Sequence, residues 1–147
     1  MRTRYAVAWL AAVFVLATPL KAQQGQQQQS NSQVELLQNY PNPFNPATTI
    51  PFRLSQDLFR DGQRPVVSLR IYNVLAQLVA IPSLQASGQR LDNVELECRE
   101  VRDGFCEFSA YWDGHYINSE REAASGVYVY QLIVNGQRNS RRMIVMK

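Results

Sequence analysis

Apolar and polar side chains alternate with a period of two through most of the chain beyond residue 48, the period of a strand with one buried face. "PVVSLRIYN" sets Val67, Leu69 and Ile71 on one side and Ser68, Arg70 and Tyr72 on the other. "TTIPFRL" is a shorter run, and Pro51, with no N–H to give a ladder, predicts an edge strand or a first strand position. "AQLVAIP" follows a short turn at "NVLA", and "NVELECREV" and "GFCEFSAYW" flank a turn at "RDG". "GVYVYQLIV" meets Asn135-Gly136 and returns as "RRMIVMK". Asn-Gly between apolar runs is the strongest short hairpin signal, because both turn positions need φ > 0. About seven short strands result, with one helical turn at "SQDLFRDG" and no internal repeat. The pattern predicts an all-β fold, an antiparallel β-sandwich.

In the last hairpin Met143 and Val145 alternate with Arg142, Ile144 and Met146, so one set faces the core and the strand pairs with an interior neighbour. Tyr128 and Tyr130 alternate with Val127 and Val129, and this two-sided apolarity predicts a strand buried on both faces. A carbohydrate-binding platform of the two tyrosines is the sharper alternative to core packing.

The front of the chain has a different character. "MRTR" is basic, "YAVAWLAAVFVLATPL" is a 16-residue apolar run, and "LKA" ends in a small residue. This is the pattern of a secretory signal peptide over residues 1–22, cut after Ala22. An uncleaved anchor is the alternative, although the run falls short of the ~20 residues that span a bilayer. Residues 23–33, "QQGQQQQSNSQ", hold seven glutamines and no apolar side chain, and cannot bury enough surface to offset their ordering entropy. A flexible linker is expected there, with glutamine-mediated association as the alternative. A single domain over 34–147 follows, and no cargo domain is expected. The only expected membrane contact is through the signal peptide.

Charge excludes one class. The chain has 15 basic and 12 acidic residues, but Arg2, Arg4 and Lys21 lie in the signal segment, which leaves 12 against 12. A near-neutral mature chain lacks the electrostatic footprint of a nucleic-acid binder.

Cys98 and Cys106 are the two cysteines. If both inward faces meet, pairing Cys98 with Cys106 also sets Leu96 against Phe108 and Val94 against Ala110. A two-residue Asp103-Gly104 turn would instead pair Val101 with Cys106, so this register needs an odd or bulged loop. In an exported protein the pair is expected to be a disulfide, with two buried free thiols as the alternative.

No Gly-x-Ser-x-Gly elbow, phosphate loop or His-Glu-x-x-His motif is present. Asp113, His115 and Ser119 can be drawn as a triad, but residues so close in one loop rarely meet in triad geometry. A calcium site at Asp113 and Asn118 lacks ligands. The reading is that the chain is not an enzyme and takes no metal or cofactor.

"QNYPNPFNPATTI" stands apart, with prolines at 41, 43 and 46 and asparagines at 39, 42 and 45. A polyproline II helix repeats every three residues and would line Asn39, Asn42 and Asn45 along one edge. Tyr40, Asn42 and Asn45 each precede a proline and are pushed out of the α region. The segment is either a rigid lead-in that staples Tyr40 and Phe44 onto the sandwich edge or a recognition strip.

"LLQNYPNPFNPATTIPFRL", "VSLRIYNVLAQLV", "YWDG", "ASGVYVYQL" and the final "RRMIVMK" together resemble the C-terminal sorting domain of the bacterial type IX (Por) secretion system. They are also similar to the Ig-like domain of flagellar hook-capping proteins. The resemblance covers about residues 35–147 and implies a seven-stranded Ig-like sandwich that an outer-membrane translocon reads as an address. The positions matching the family pattern are Asn39, Pro41, Asn42, Pro43, Asn45 and Pro46 at the front, with Gly126, Arg141, Arg142 and Lys147 at the back. Where the family has glycine after "IYN" this chain has Ala76, so that turn must avoid φ > 0 or carry strain. The expected partners are protein: export or sorting machinery, or, for a free-standing module like the hook-cap domain, other envelope proteins. The expected location is exported: periplasm, outer-membrane surface or extracellular.

Overall fold

Thr48, Ile50, Phe52 and Leu54 alternate inward from one long strand, and the two sheets assemble around that face. A computed structural model describes residues 32–147. The signal-peptide expectation (1–22), and the linker expectation as far as residue 31, lie outside the described residues.

The first sheet holds β1 (Val34–Leu36), β2 (Thr48–Ser55), β5 (Ser83–Leu84), β7 (Val101–Arg102) and β8 (Phe105–Trp112). Its order is β1-β2-β8-β5, with β7 also on β8. The second holds β3 (Val66–Tyr72), β4 (Leu78–Ala80), β6 (Val94–Glu95), β9 (Gly126–Val134) and β10 (Gln137–Val145). Its order is β10-β9-β3-β4, with β6 also on β3. Every pair of named strands is antiparallel, and the two sheets form a sandwich-like arrangement. Ten segments stand where about seven were expected; β5, β6 and β7 are two-residue pieces.

The core fills from the alternating faces. Val67, Leu69 and Ile71 of β3, Leu132 of β9 and Met143 of β10 are fully buried against Ile50, Phe52 and Leu54 of β2. Each such side chain contributes about 1.5–3 kcal/mol relative to exposure. Phe52 stacks on Phe108 at 5.3 Å between ring centroids. A 3-10 turn over Gln56–Gly62 brings Phe59 against Phe108 as well, at 6.3 Å.

Four sequence expectations are corrected. "NVELECREV" is not one strand: β6 pairs with β3 in one sheet and β7 with β8 in the other. Glu97, Arg99 and Glu100 are exposed and crowd the middle of the run, so the chain uses 96–100 to cross between sheets. Asp103 and Gly104, at φ 50° and 81°, form the two-residue turn, and Val101 pairs with Cys106. The Leu96/Phe108 and Val94/Ala110 register therefore does not form. Cys98 and Cys106 are nevertheless disulfide-bonded, with Cα atoms 5.6 Å apart, because Cys98 sits in the crossing segment and is not bound by the ladder.

Pro51 lies inside β2, flanked by β1 and β8, and is neither at a sheet edge nor at the strand start. Its carbonyl accepts from the Leu37 amide at 3.0 Å, so its missing N–H faces the same side, just past the end of β1. No ladder bond is lost to β8. The Tyr128–Tyr130 strand is buried on one face only: both tyrosines point inward, Val129 is half-buried and Val127 is exposed. Buried rings make no carbohydrate platform. Ala76 takes φ 59°, the left-handed conformation that glycine would adopt freely.

Candidate functional site

Four of the five blocks that carry the resemblance, all but "VSLRIYNVLAQLV", meet at one edge of the sandwich, joined by the segment from Gln38 to Pro46. It is a chain of bends at 41–43 and 45–46 rather than one regular helix, so the asparagines do not share an edge. Asn39 is 2% exposed, whereas Asn42 and Asn45 face solvent. Burial obliges Asn39 to satisfy its amide. Its Nδ2 donates to the Pro41 carbonyl at 3.1 Å and to Thr48 Oγ1 at 3.0 Å, and its Oδ1 accepts from Gln38. The Thr48 hydroxyl donates to the same Pro41 carbonyl at 3.0 Å.

Tyr130 completes this network from the opposite sheet. Its hydroxyl donates to the Leu37 carbonyl at 2.8 Å and accepts from the Asn39 amide at 3.1 Å. The Leu37 carbonyl is free because its strand-like partner would be the N–H that Pro51 lacks. Burial pushes the Tyr130 hydroxyl above its ordinary pKa, so it stays a donor.

The next residues reach β10. The Ile144 amide donates to Asn42 Oδ1 at 2.9 Å, the Phe44 amide to the Ile144 carbonyl at 3.0 Å, and the Met146 amide to the Phe44 carbonyl at 3.0 Å. Phe44 is 2% exposed and meets Trp112 edge-on at 5.4 Å, and Trp112 meets Tyr128 in the same way at 5.9 Å. Tyr40 behaves otherwise: its backbone exchanges two bonds with Thr49, while its side chain is 58% exposed. Only Phe44 staples the strip by its ring. Pro46 closes the strip against "WDG": a Cβ at Gly114 would lie 2.1 Å from the Pro46 carbonyl oxygen.

The carboxyl-terminal residues are similarly engaged. Arg141 Nε donates to the Leu36 carbonyl at 2.6 Å, and the Arg142 carbonyl accepts from Gln38 at 3.2 Å. Gly126 pairs with Val145 across the hairpin. The Lys147 amide donates to Ser125 Oγ at 3.0 Å, and its ammonium pairs with Glu122, holding that carboxyl below the usual range. The side chains of Pro41, Asn42, Pro43, Asn45, Pro46 and Arg142 remain exposed. Thr48 and Gly114 were not among the sequence candidates, and Tyr130 was read as core or as part of a carbohydrate platform, not as a member of this network. A threonine on the inward face of a strand was the one visible signal of the polar network.

In the loop after β8, the Asp113 carboxylate accepts from the His115 amide at 2.9 Å, and Ser119 Oγ accepts from the Arg121 amide at 3.0 Å. Among the described residues no hydrogen bond joins His115 to Ser119.

No family model matches the chain, and no curated protein does. One solved structure similar to it is the Pseudomonas fluorescens alkylpurine DNA glycosylase AlkC, bound to DNA containing an abasic site analog. The likeness is 15% identity at a TM-score of 0.47, over 78% of this chain and 31% of the glycosylase chain. It corrects the expectation that the chain is not an enzyme: the neighbour is an enzyme, and the exclusion is withdrawn. At that similarity it assigns no activity to this chain.

Proposed function

We propose that residues 34–147 are a seven-stranded Ig-like module that export or sorting machinery of the cell envelope reads, similar to the type IX C-terminal sorting domain. With β5, β6 and β7 counted as extensions, seven strands of three or more residues remain. One observation carries the reading. The blocks "QNYPNPFNP", "YWDG", "SGVY" and the carboxyl tail, far apart in sequence, build a single cluster through Asn39, Phe44, Pro46, Gly114, Ser125 and Lys147. They act as one unit, as the parts of an address recognised in its folded form would. The disulfide is compatible with an oxidising compartment, and export through the signal peptide would place the domain in one.

A free-standing structural module, similar to the hook-cap domain, is the second reading. It is favoured by how many of the strip's polar groups are spent inside the domain. Processing separates the two. With a passenger fused ahead of residue 32 in a host with a type IX translocon, the first reading expects the domain trimmed or transferred during surface attachment. Intact mass that returns the whole fusion from the envelope would favour the second.

A further inference from the structure

The strip covers only half of the outer edge of β10. In a two-residue hairpin the flanking pair, here Val134 and Gln137, exchanges both bonds, so alternate residues of β10 turn their backbone groups outward. These are Arg138, Ser140, Arg142, Ile144 and Met146. Asn42 and Phe44 take up the groups of Ile144 and Met146, and Gln38 takes the Arg142 carbonyl. Among the described residues no hydrogen bond reaches the outward N–H or C=O of Arg138 or Ser140. All three residues from 138 to 142 that face this edge are exposed.

The free charge around the open half is basic: Glu35 of β1, which lines the groove beside Ser140 and Arg141, is paired with Arg53. β3, β4, β9 and β10 contain no acidic residue. Arg138 and Arg142 share the outward face with Ser140 between them, and among the described residues neither makes an ion pair. A second copy fits badly: antiparallel pairing centred on Ser140 sets Arg138 opposite Arg142 twice, and like charges directly opposite repel. An unpaired strand edge flanked by two arginines four positions apart suits a different strand.

Resting on the docking reading above, we infer that β10 between Arg138 and Arg142 receives an extended acidic segment of a partner protein by strand addition. Carboxylates four positions apart would face the two arginines, with a small or hydroxylic residue opposite Ser140. Main-chain bonds to Arg138, Ser140 and Arg142 supply the pairing, and the charges fix its register.

The test uses the folded chain and a synthetic seven-residue peptide with glutamates at its second and sixth positions and a central threonine. The expected result is that the Arg138, Ser140 and Arg142 amides shift in NMR spectra and gain protection from exchange. Binding to the Arg138→Glu/Arg142→Glu variant should be about tenfold weaker and be restored by the peptide carrying lysines instead. An unchanged melting temperature confirms that the variant is folded. Absence of binding at millimolar peptide would overturn the inference. So would equal binding by a scrambled peptide with adjacent glutamates, or self-association through the same amides. A chain that fails here yet delivers a passenger to the surface keeps the docking reading and loses only this edge.

Discussion

The hydroxyl of Tyr130 holds the backbone of Asn39 across 91 residues of sequence, accepting from its amide at 3.1 Å while donating to the Leu37 carbonyl at 2.8 Å. One oxygen on an interior strand of the second sheet thereby fixes the entry to the asparagine–proline strip, whose next residue pairs with β2 of the first. The strip straps the two sheets together, and the strap depends on a proline: Pro51 leaves open the carbonyl that Tyr130 fills.

Tyr130→Phe removes the hydroxyl and keeps the ring. It leaves a half-buried carbonyl and a buried amide without their partner, which costs about 2 kcal/mol. Urea denaturation should show a lower midpoint with an unchanged slope. A loss under 0.5 kcal/mol would mean that the strip is held by other contacts.

The same hydroxyl gives a pH dependence. Burial raises the Tyr130 pKa, so the folded state holds its proton more tightly than the unfolded state does. The resulting stabilisation is complete below the unfolded value of about 10 and is lost as pH rises through the higher folded value. Tyr128, raised by its own burial, adds to the fall. Melting temperature against pH should drop above about pH 10 in the native chain and less steeply in Tyr130→Phe. At the acid end, the lowered pKa of Glu122 gives a contribution present above its unfolded value and lost as pH falls through the folded one. That group is exposed, and the effect is small.

Two glycine substitutions separate contact from backbone strain. Gly114 and Gly136 both take φ 86°, but a Cβ at Gly136 meets nothing within 4 Å, whereas one at Gly114 strikes the Pro46 carbonyl at 2.1 Å. Gly136→Ala should cost about 1–2 kcal/mol, the left-handed penalty alone. Gly114→Ala should cost roughly 3 kcal/mol or more, because two backbone segments must separate. Thermal melts of the pair check the difference, and equal losses would deny that the strip is seated on the "WDG" loop.

Ala76→Gly should stabilise. It relieves about 1–2 kcal/mol of left-handed strain and gives back about 0.4–1 kcal/mol in unfolded-chain entropy. A net gain of about 0.5–1 kcal/mol is expected by denaturant titration. Asn73 holds this turn, its Oδ1 accepting from the Leu75 and Gln77 amides at 3.0 Å each, so the native turn persists in the variant.

Long strands were legible because their alternation survives folding: Val67, Leu69 and Ile71 point inward as read, and so do Met143 and Val145. The crossing at 96–100 was not legible, since Val94, Leu96 and Cys98 keep the same alternation while the chain changes sheets. Pro51 misled because a proline's missing donor matters only on the side it faces, and sequence does not reveal that side. Asn39 misled for a related reason. A polar residue in a proline-rich segment reads as exposed unless its partners are known, and those partners, Thr48 and Tyr130, lie nine and 91 residues away. The disulfide was legible as a pair and not as a register.

The account's central claim is that the folded cluster serves as an address in the cell envelope. Surface delivery of a fluorescent passenger carrying the signal peptide and fused ahead of residues 32–147 tests it most directly, in paired hosts with and without a type IX translocon. The account predicts a protease-accessible passenger on the first host and a periplasmic one in the second. It further predicts loss of delivery in the first host when Gly114→Ala unseats the strip. Passenger retained in the periplasm of both hosts, with the domain folded, would contradict it.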